Sequence, residues 1–446
     1  MSSQSHRFDV VIVGAGVTGA SLLYLLAKYS NVGSIAVIEK ESSVAEISSH
    51  AAHNSQTLHF GDIETNYSFE KARTVKAAAE MIVRYAAGLS DGTSIVAPMQ
   101  KMVICVGEKE VATLTARYRE FKDLFPDSRL VGREELSKLE PKVVEGRDPK
   151  TPIAAMFNPR GFAVDFGRLA ESFVARAKEV KPQGLAFFFE TRVRGIVRGA
   201  DGFEIDLGAK KIAAGAVVVA AGAYSLRMAH ALGYGRDLTL LPVAGDFFTA
   251  PNVLRGKVYT MQEKLLPFAA VHGDPDITDR NLMRFGPLAL ATPLLEPKRW
   301  RTIFDFFKVF KPNSNTIATV IKVNTEPIVL RFILRHMLYY LPFVGKRFFM
   351  REARKIVPTL RASDVHFGKN MGGVRPQVAN IRTRTLQLGE AKLVADGLIF
   401  NITPSPGASV CLQNAEADLR TLISHFNGRY ALDEAALVKD LGGGAS

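Results

Sequence analysis

The chain has 446 residues, 47% of them apolar, and a formal charge of +13, which is too much material for one ordinary core and reads as two or three domains. Its only cysteines, Cys105 and Cys411, each lie inside an apolar run and at no metal-ligand spacing, so a disulfide framework is excluded and no metal centre is expected. The short polar stretch 1–7 is no signal peptide, and no apolar run is long enough to span a bilayer, so a cytoplasmic location is expected.

An apolar run over residues 10–13 reads as a buried parallel strand, and it ends in Gly14-Ala15-Gly16-Val17-Thr18-Gly19, the spacing G-x-G-x-x-G. The first glycine makes the tight turn, the second admits a pyrophosphate to the backbone, and the third lets the following helix pack against the sheet. Leu22, Leu23, Leu25 and Leu26 carry that helix. A second apolar run, 35–38, ends in Glu39, 20 residues beyond Gly19. There a carboxylate accepts from a ribose 2'-hydroxyl and repels a 2'-phosphate. The ligand implied is an adenine dinucleotide, FAD or NAD, and since no second such turn occurs, one dinucleotide is expected.

The polar, histidine-rich stretch 48–62 lacks periodicity and reads as a loop beside the dinucleotide. Helices are expected over 68–85, 111–121 and 129–141, a strand over 102–106, and a loop over 148–161. Asp165 caps a helix reaching about residue 178. Strands follow at 186–189, 192–197 and 203–205, with a hairpin turn at 200–202. The run 217–220 is a parallel-sheet strand ending in the small-residue turn Ala221-Gly222-Ala223. Beyond 236, short strands at 247–249, 258–260, 268–271 and 282–285 suggest a mainly antiparallel domain. Residues 300–310 and 328–340 look helical and amphipathic. A glycine-rich turn is expected at 372–376, a last strand at 398–400, and a closing helix over 410–425.

Residues 298–355 carry 13 Lys or Arg against Asp305, Glu326 and Glu352, so most of the positive charge is concentrated here. No nucleic-acid module accompanies it, and its aromatics are mostly Phe in apolar runs, so nucleic acid is not an expected partner. Cations around Trp300, Phe304, Phe306, Phe307, Phe310, Leu338, Tyr339, Tyr340, Phe343, Phe348 and Phe349 suit peripheral contact with an anionic membrane surface.

On the turn 14–19 with Glu39, the stretch 54–68, and the segments Val218–Ser225, Leu266–Gly273, Phe285–Pro287, Gly373–Pro376 and Ser405–Ala408, the chain resembles the flavoprotein oxidoreductases related to D-amino-acid oxidase and 2-hydroxyglutarate oxidase. Within these it looks most like the malate:quinone oxidoreductases. The resemblance implies non-covalent FAD, oxidation of L-malate, with L-2-hydroxyglutarate, a related 2-hydroxy acid or an amino acid as the alternative substrate, and electron delivery to a membrane quinone from the inner face of the cell membrane. The implied fold is α/β. A Rossmann-like FAD-binding domain is assembled from discontinuous segments (1–85, 155–235, 365–440), beside a mainly antiparallel β substrate domain (86–154, 236–364) with the basic helical insertion 298–355.

Oxidising a secondary alcohol requires a base for the hydroxyl proton and an acceptor for the hydride. His272, expected at a strand end in the substrate domain, is the favoured base, with His53 and His59 as competitors. Arg375 suits a carboxylate clamp, with Lys369 and Arg284 as candidates for a second carboxylate and Asn54 as a hydrogen-bonder to substrate or flavin. The cofactor set expected from the turns and the resemblance is Gly14, Gly16, Val17, Thr18, Gly19, Glu39, Lys40, Ser55, Val193, Ala221, Gly222, Gly373, Arg375, Pro406, Gly407 and Ala408.

Overall fold

In the computed structural model, which describes residues 6–262, 270–387, 391–404 and 406–442, the first strand β1 (Arg7–Val13) runs through the middle of a largely parallel sheet. Val10, Val11 and Ile12 are wholly buried, as a strand covered by helices on both faces requires. On one side β1 pairs in parallel with β2 (Ile35–Ile38), which pairs with Leu185–Phe188; on the other it pairs with Lys211–Val219, which pairs with Leu398–Ile402. Ala391–Ala395 closes that edge in antiparallel fashion, and the hairpin Gly195–Gly199/Gly202–Asp206 branches from Lys211–Val219.

The helix α1 (Val17–Tyr29) packs on one face with helices Phe166–Val180 and Cys411–His425 through Leu22, Leu26, Phe173 and Leu419. Asp165 caps Phe166–Val180, its carboxylate accepting from the N–H groups of Gly167 and Arg168 at 3.0 Å each. The opposite face is covered by helix Tyr224–Ala231 and by Phe306 and Val309 of helix Ile303–Phe310. The basic insertion therefore begins as part of the dinucleotide domain's core.

A second sheet runs, in spatial order, Thr385–Leu386, Gly373–Asn380, Leu238–Pro251, Leu282–Ala291, His272–Pro275, Lys257–Thr260, Lys101–Val106, Ile153–Asn158 and Arg129–Gly132, with His366–Phe367 also on Leu238–Pro251. Every pairing is antiparallel except that between Lys257–Thr260 and Lys101–Val106. Helices Pro327–Tyr339 and Gly345–Ile356 pack on this sheet through Tyr339, Phe349, Met350 and Ile356 against Phe248 and Phe285.

Several expectations are corrected. The loop expected at 148–161 contains the strand Ile153–Asn158, all six residues of which are buried; flanking prolines masked a fully apolar run. The first part of the helix expected at 129–141 is the strand Arg129–Gly132. The turn expected at 372–376 is the start of the strand Gly373–Asn380, which belongs to the second sheet. Residues 366–386, expected in the dinucleotide domain, therefore pair in the other sheet, as does Ile153–Asn158 across the expected boundary at 155. The short strand at 247–249 is part of the 14-residue strand Leu238–Pro251, whose pairing slips by a bulge between Asp246 and Phe248. Of the strand expected at 268–271, residues 268 and 269 fall within 263–269, which lie outside the described residues, while 270 and 271 precede a strand that begins at His272.

In the insertion, Phe306, Tyr339 and Phe349 face the core rather than the surface. Trp300 (73% exposed), Phe304 (71%) and Phe343, at a turn tip, stand in solvent with Ile321, Leu334 and Met337. Among the described residues no helix is long and apolar enough to cross a membrane.

Candidate active site

The cleft opens where β1 and β2 end. Gly14 has φ +106°, and a Cβ there would meet the Ala220 carbonyl oxygen at 2.5 Å, so the turn is closed to any other residue. A Cβ on Gly16 would meet only Ser49 Oγ, and one on Gly222 would meet nothing within 4 Å. These two backbones thus leave space for a ligand. Gly19 does not line the cleft; its missing Cβ lets α1 close on the Gly14 carbonyl, which is the packing role of the third glycine. Glu39 lines the cleft with its carboxylate held by the N–H groups of Ala15 (2.8 Å) and Glu41 (3.0 Å). No acidic residue stands in the first turn of α1 to compete with a phosphate.

Gly14, Gly16, Val17, Thr18, Glu39, Lys40, Ser55, Val193, Ala221, Gly222, Gly373, Arg375, Pro406, Gly407 and Ala408 all line this one cleft. They come from the strand ends and adjoining loops of both sheets, from the first turn of α1, and from the turn 406–410 that leads into helix Cys411–His425. An open glycine cradle, a positioned carboxylate and an uncontested helix N-terminus fit the FAD that the resemblance implies.

His53, Asn54, Thr57 and His59 enter the same cleft from the loop between β2 and the helix Phe69–Ala87. Four cations on the substrate-domain side hold this loop. Arg284 donates to the carbonyls of Ala51 (2.8 Å) and Asn54 (3.0 Å), and Lys257 to that of Ser55 (3.2 Å). Lys101 pairs with Asp62 (2.7 Å), and Arg117 donates to the carbonyls of Glu64 and Tyr67. The loop is irregular in sequence because its geometry is imposed from outside.

The two histidines differ in what holds Nδ1. His53 Nδ1 meets the Ile47 carbonyl at 2.5 Å, and burial holds its pKa below the usual histidine value, helped by the positive charges of Lys298 and Arg284. His59 Nδ1 meets Glu64 Oε1 in a very short contact. Burial of Glu64 works against its charge, but His59 and Lys101 outweigh it and hold the carboxyl below its usual range. An ionised partner orients His59 with Nδ1–H toward Glu64, leaving Nε2 as the acceptor. Asn54 is a loop organiser: Nδ2 donates to the carbonyls of Ser48, Ser49 and His50, and Oδ1 accepts from the Gln56 N–H.

Arg375 reaches the cleft from the strand Gly373–Asn380, opposite Val243. Its guanidinium lies against Gly245 of the neighbouring strand, where an added Cβ would stand in ordinary contact with it at 3.6 Å. Among the described residues Nη1 is buried without a partner, and burial pulls the pKa down to about 10. A desolvated guanidinium of this kind is suited to pair with a substrate carboxylate.

The other expected anion binders are elsewhere. Arg284 is 2% exposed and bound to Asp276, with Nε 2.6 Å from Oδ2, so its charge is spent on the loop clamp. Lys369 is exposed and outside the cleft lining. His272 opens its strand rather than ending one; it is 1% exposed and absent from the cleft lining. Its ring stacks on Tyr259 with centroids 4.5 Å apart, and lies 6.3 Å from that of Phe247, which does line the cleft. Nδ1 lies 2.8 Å from Asp274 Oδ2, though off the line of a hydrogen bond, and burial lowers the His272 pKa against the pull of Asp274. The expected base thus stands behind the wall of the cleft. Sequence patterning missed Ser49, Arg192, Arg227, Phe247 and Glu296 as cleft residues, since each comes from a separate element with no shared local signal. Glu64, only five residues after His59, carried no periodicity to pair them.

The family model described as FAD dependent oxidoreductase matches residues 9–409. A probable malate:quinone oxidoreductase from Campylobacter jejuni is 39% identical over 97% of this chain and 99% of its own length, and a malate:quinone oxidoreductase from Helicobacter pylori 37% over 98% of each. Among solved structures, L-alpha-glycerophosphate oxidase from Mycoplasma pneumoniae, with FAD bound, superposes with a TM-score of 0.64 at 16% identity, covering 94% of this chain and 95% of that one. Glycine oxidase from Geobacillus kaustophilus superposes with 0.65 at 18% identity and the same coverage.

Proposed function

This chain belongs to the FAD dependent oxidoreductases and, within them, to the malate:quinone oxidoreductases, and on that premise we propose that it binds FAD and oxidises L-malate to oxaloacetate, passing the electrons to a quinone. The observation that carries this reading is the meeting, in one cleft, of the dinucleotide turn with the Arg375 guanidinium, whose Nη1 has no partner among the described residues, and with His59, which Glu64 holds from behind.

When bound, FAD supplies the acceptor for the hydride leaving the hydroxyl-bearing carbon. Arg375 binds a malate carboxylate, for which its planar fork is suited, and so aligns that carbon. His59 takes the hydroxyl proton at Nε2 as the carbonyl forms. The imidazolium is then stabilised by the Glu64 carboxylate, whereas His53 has only a backbone carbonyl and an environment that opposes protonation. This difference favours His59 as base and leaves His53 as a neutral hydrogen-bonding group. The N–H groups of Gly407 and Ala408, at the entry to the closing helix, are suited to hold negative charge on the cofactor ring.

Quinones reside in lipid, and the exposed Trp300, Phe304, Phe307, Leu334, Met337 and Phe343, ringed by Lys and Arg, suit peripheral attachment to an anionic membrane surface. The decisive measurement is anaerobic addition of malate to the purified yellow protein. Malate bleaches the flavin absorbance and a quinone restores it; bleaching by 2-hydroxyglutarate but not by malate would reassign the substrate.

A further inference from the structure

At the end of the cleft marked by Glu39, the chain continues into Lys40 and Glu41, and across the opening stand Glu296 and Arg299, which are remote in sequence. Arg299 grips Glu41 with two parallel bonds, Nη1 to Oε1 at 2.5 Å and Nη2 to Oε2 at 2.9 Å, between residues 258 positions apart. Lys40 Nζ lies 2.5 Å from Glu296 Oε1 and 2.7 Å from Glu41 Oε1, and Arg299 Nη1 lies 3.2 Å from Glu296 Oε2. Lys40 and Glu296 both line the cleft.

We propose that Lys40, Glu41, Glu296 and Arg299 form an ionic clasp that closes this end of the cleft and retains the dinucleotide. The inference rests on the reading of the cleft as an FAD site.

Isolated surface ion pairs contribute little, but this one is bidentate, belongs to a network of four charges, and uses carboxylates that are largely shielded: the side chains of Glu296 and Glu41 are 5% and 15% exposed. Arg299 holds the Glu41 carboxyl down to about 2, against the effect of its burial. A second anchor lies beside the first, where Asp305 accepts from the Tyr224 hydroxyl at 3.2 Å and stands 3.3 Å from Arg227 and 3.6 Å from Arg192, all three of them cleft residues. The first turns of the insertion are thus fastened across the cofactor cleft by charge. Since Lys40 is already bound to two carboxylates, its work here is to close the site as well as to line it.

The test is the rate at which flavin fluorescence appears when the FAD-loaded protein is diluted into cofactor-free buffer. Arg299→Ala should release FAD about five-fold faster than the parent, with Arg299→Lys, which keeps the charge and loses the fork, in between. Raising salt should speed release from the parent and leave Arg299→Ala nearly unchanged. Glu41→Gln, which removes the carboxylate charge that Arg299 grips, should also speed release, and the double variant Glu41→Gln with Arg299→Ala should release FAD little faster than the faster of the two single variants. Parental release rates in Arg299→Ala, or effects of the two substitutions that multiply in full, would overturn the clasp. Protein that purifies without any FAD would overturn the underlying assignment of the cleft, and the clasp with it.

Discussion

His53 and His59 sit on one loop, line one cleft and are indistinguishable as residue types; only the partner of Nδ1 separates them. Proton uptake creates a cation, and Glu64 offers it a full counter-charge. His59→Asn should therefore slow malate-driven flavin reduction by about 10²-fold or more while FAD content stays the same. His53→Asn should cost much less, and stopped-flow absorbance of the two variants decides between them: a larger loss in His53→Asn would transfer the role of base. The same dependence on partners demoted Arg284. Its residue type suits a carboxylate clamp, but the hairpin joining His272–Pro275 to Leu282–Ala291 brings Asp276 against it. Among the described residues no acid is paired with Arg375 in this way.

The helix Pro327–Tyr339 reads in sequence as a basic amphipathic segment, and His336 shows how it is fastened. Its Nδ1 accepts from the Ala289 N–H at 2.8 Å, and burial, helped by Arg335, brings its pKa to about 4 from 6.5. Because the folded pKa lies below the unfolded one, the folded state binds fewer protons between these values. Stability contributed above pH 6.5 is then lost progressively as pH falls toward 4, by up to about 3 kcal/mol from this group. His336→Asn, whose amide oxygen can still accept from Ala289 but does not titrate, should lose less of its melting temperature between pH 7 and pH 4.5 than the parent. Equal losses would show that another buried group governs the acid sensitivity. At this scale, strong runs such as 35–38 and 217–219 were legible as strands, whereas Ile153–Asn158 and Gly373–Asn380 were hidden by flanking Pro and Gly, which are turn signals only until a neighbouring strand pairs with them.

For the whole molecule, the same insertion supplies core, clasp and exposed surface. Phe306 and Val309 are buried against the parallel sheet, Arg299 bridges the cleft, and Phe304 and Phe343 face outward. Replacing Arg331, Arg335, Lys346 and Arg347 with Ser should weaken binding to anionic vesicles by up to about 4 kcal/mol, since each near-surface cation contributes about 1 kcal/mol. Quinone turnover should fall with it, while malate-driven reduction of a small soluble acceptor is kept. Sedimentation with vesicles and the two assays check this together, and unchanged vesicle binding would remove the cations from the membrane role.

The sequence by itself determined the dinucleotide turn, Glu39, the α/β class with its second, antiparallel sheet, and the concentration of charge in 298–355. These are legible because each depends on local backbone geometry or on composition: a turn that only glycine can make, an apolar run, a tally of charges. That His53 and His59 line the cleft and His272 does not, that Arg375 Nη1 keeps no partner among the described residues, and that Arg299 meets Glu41 across 258 residues were decided only by the tertiary structure. Burial and counter-charge are set by neighbours distant in sequence, and a side chain's chemistry depends on them as much as on its type.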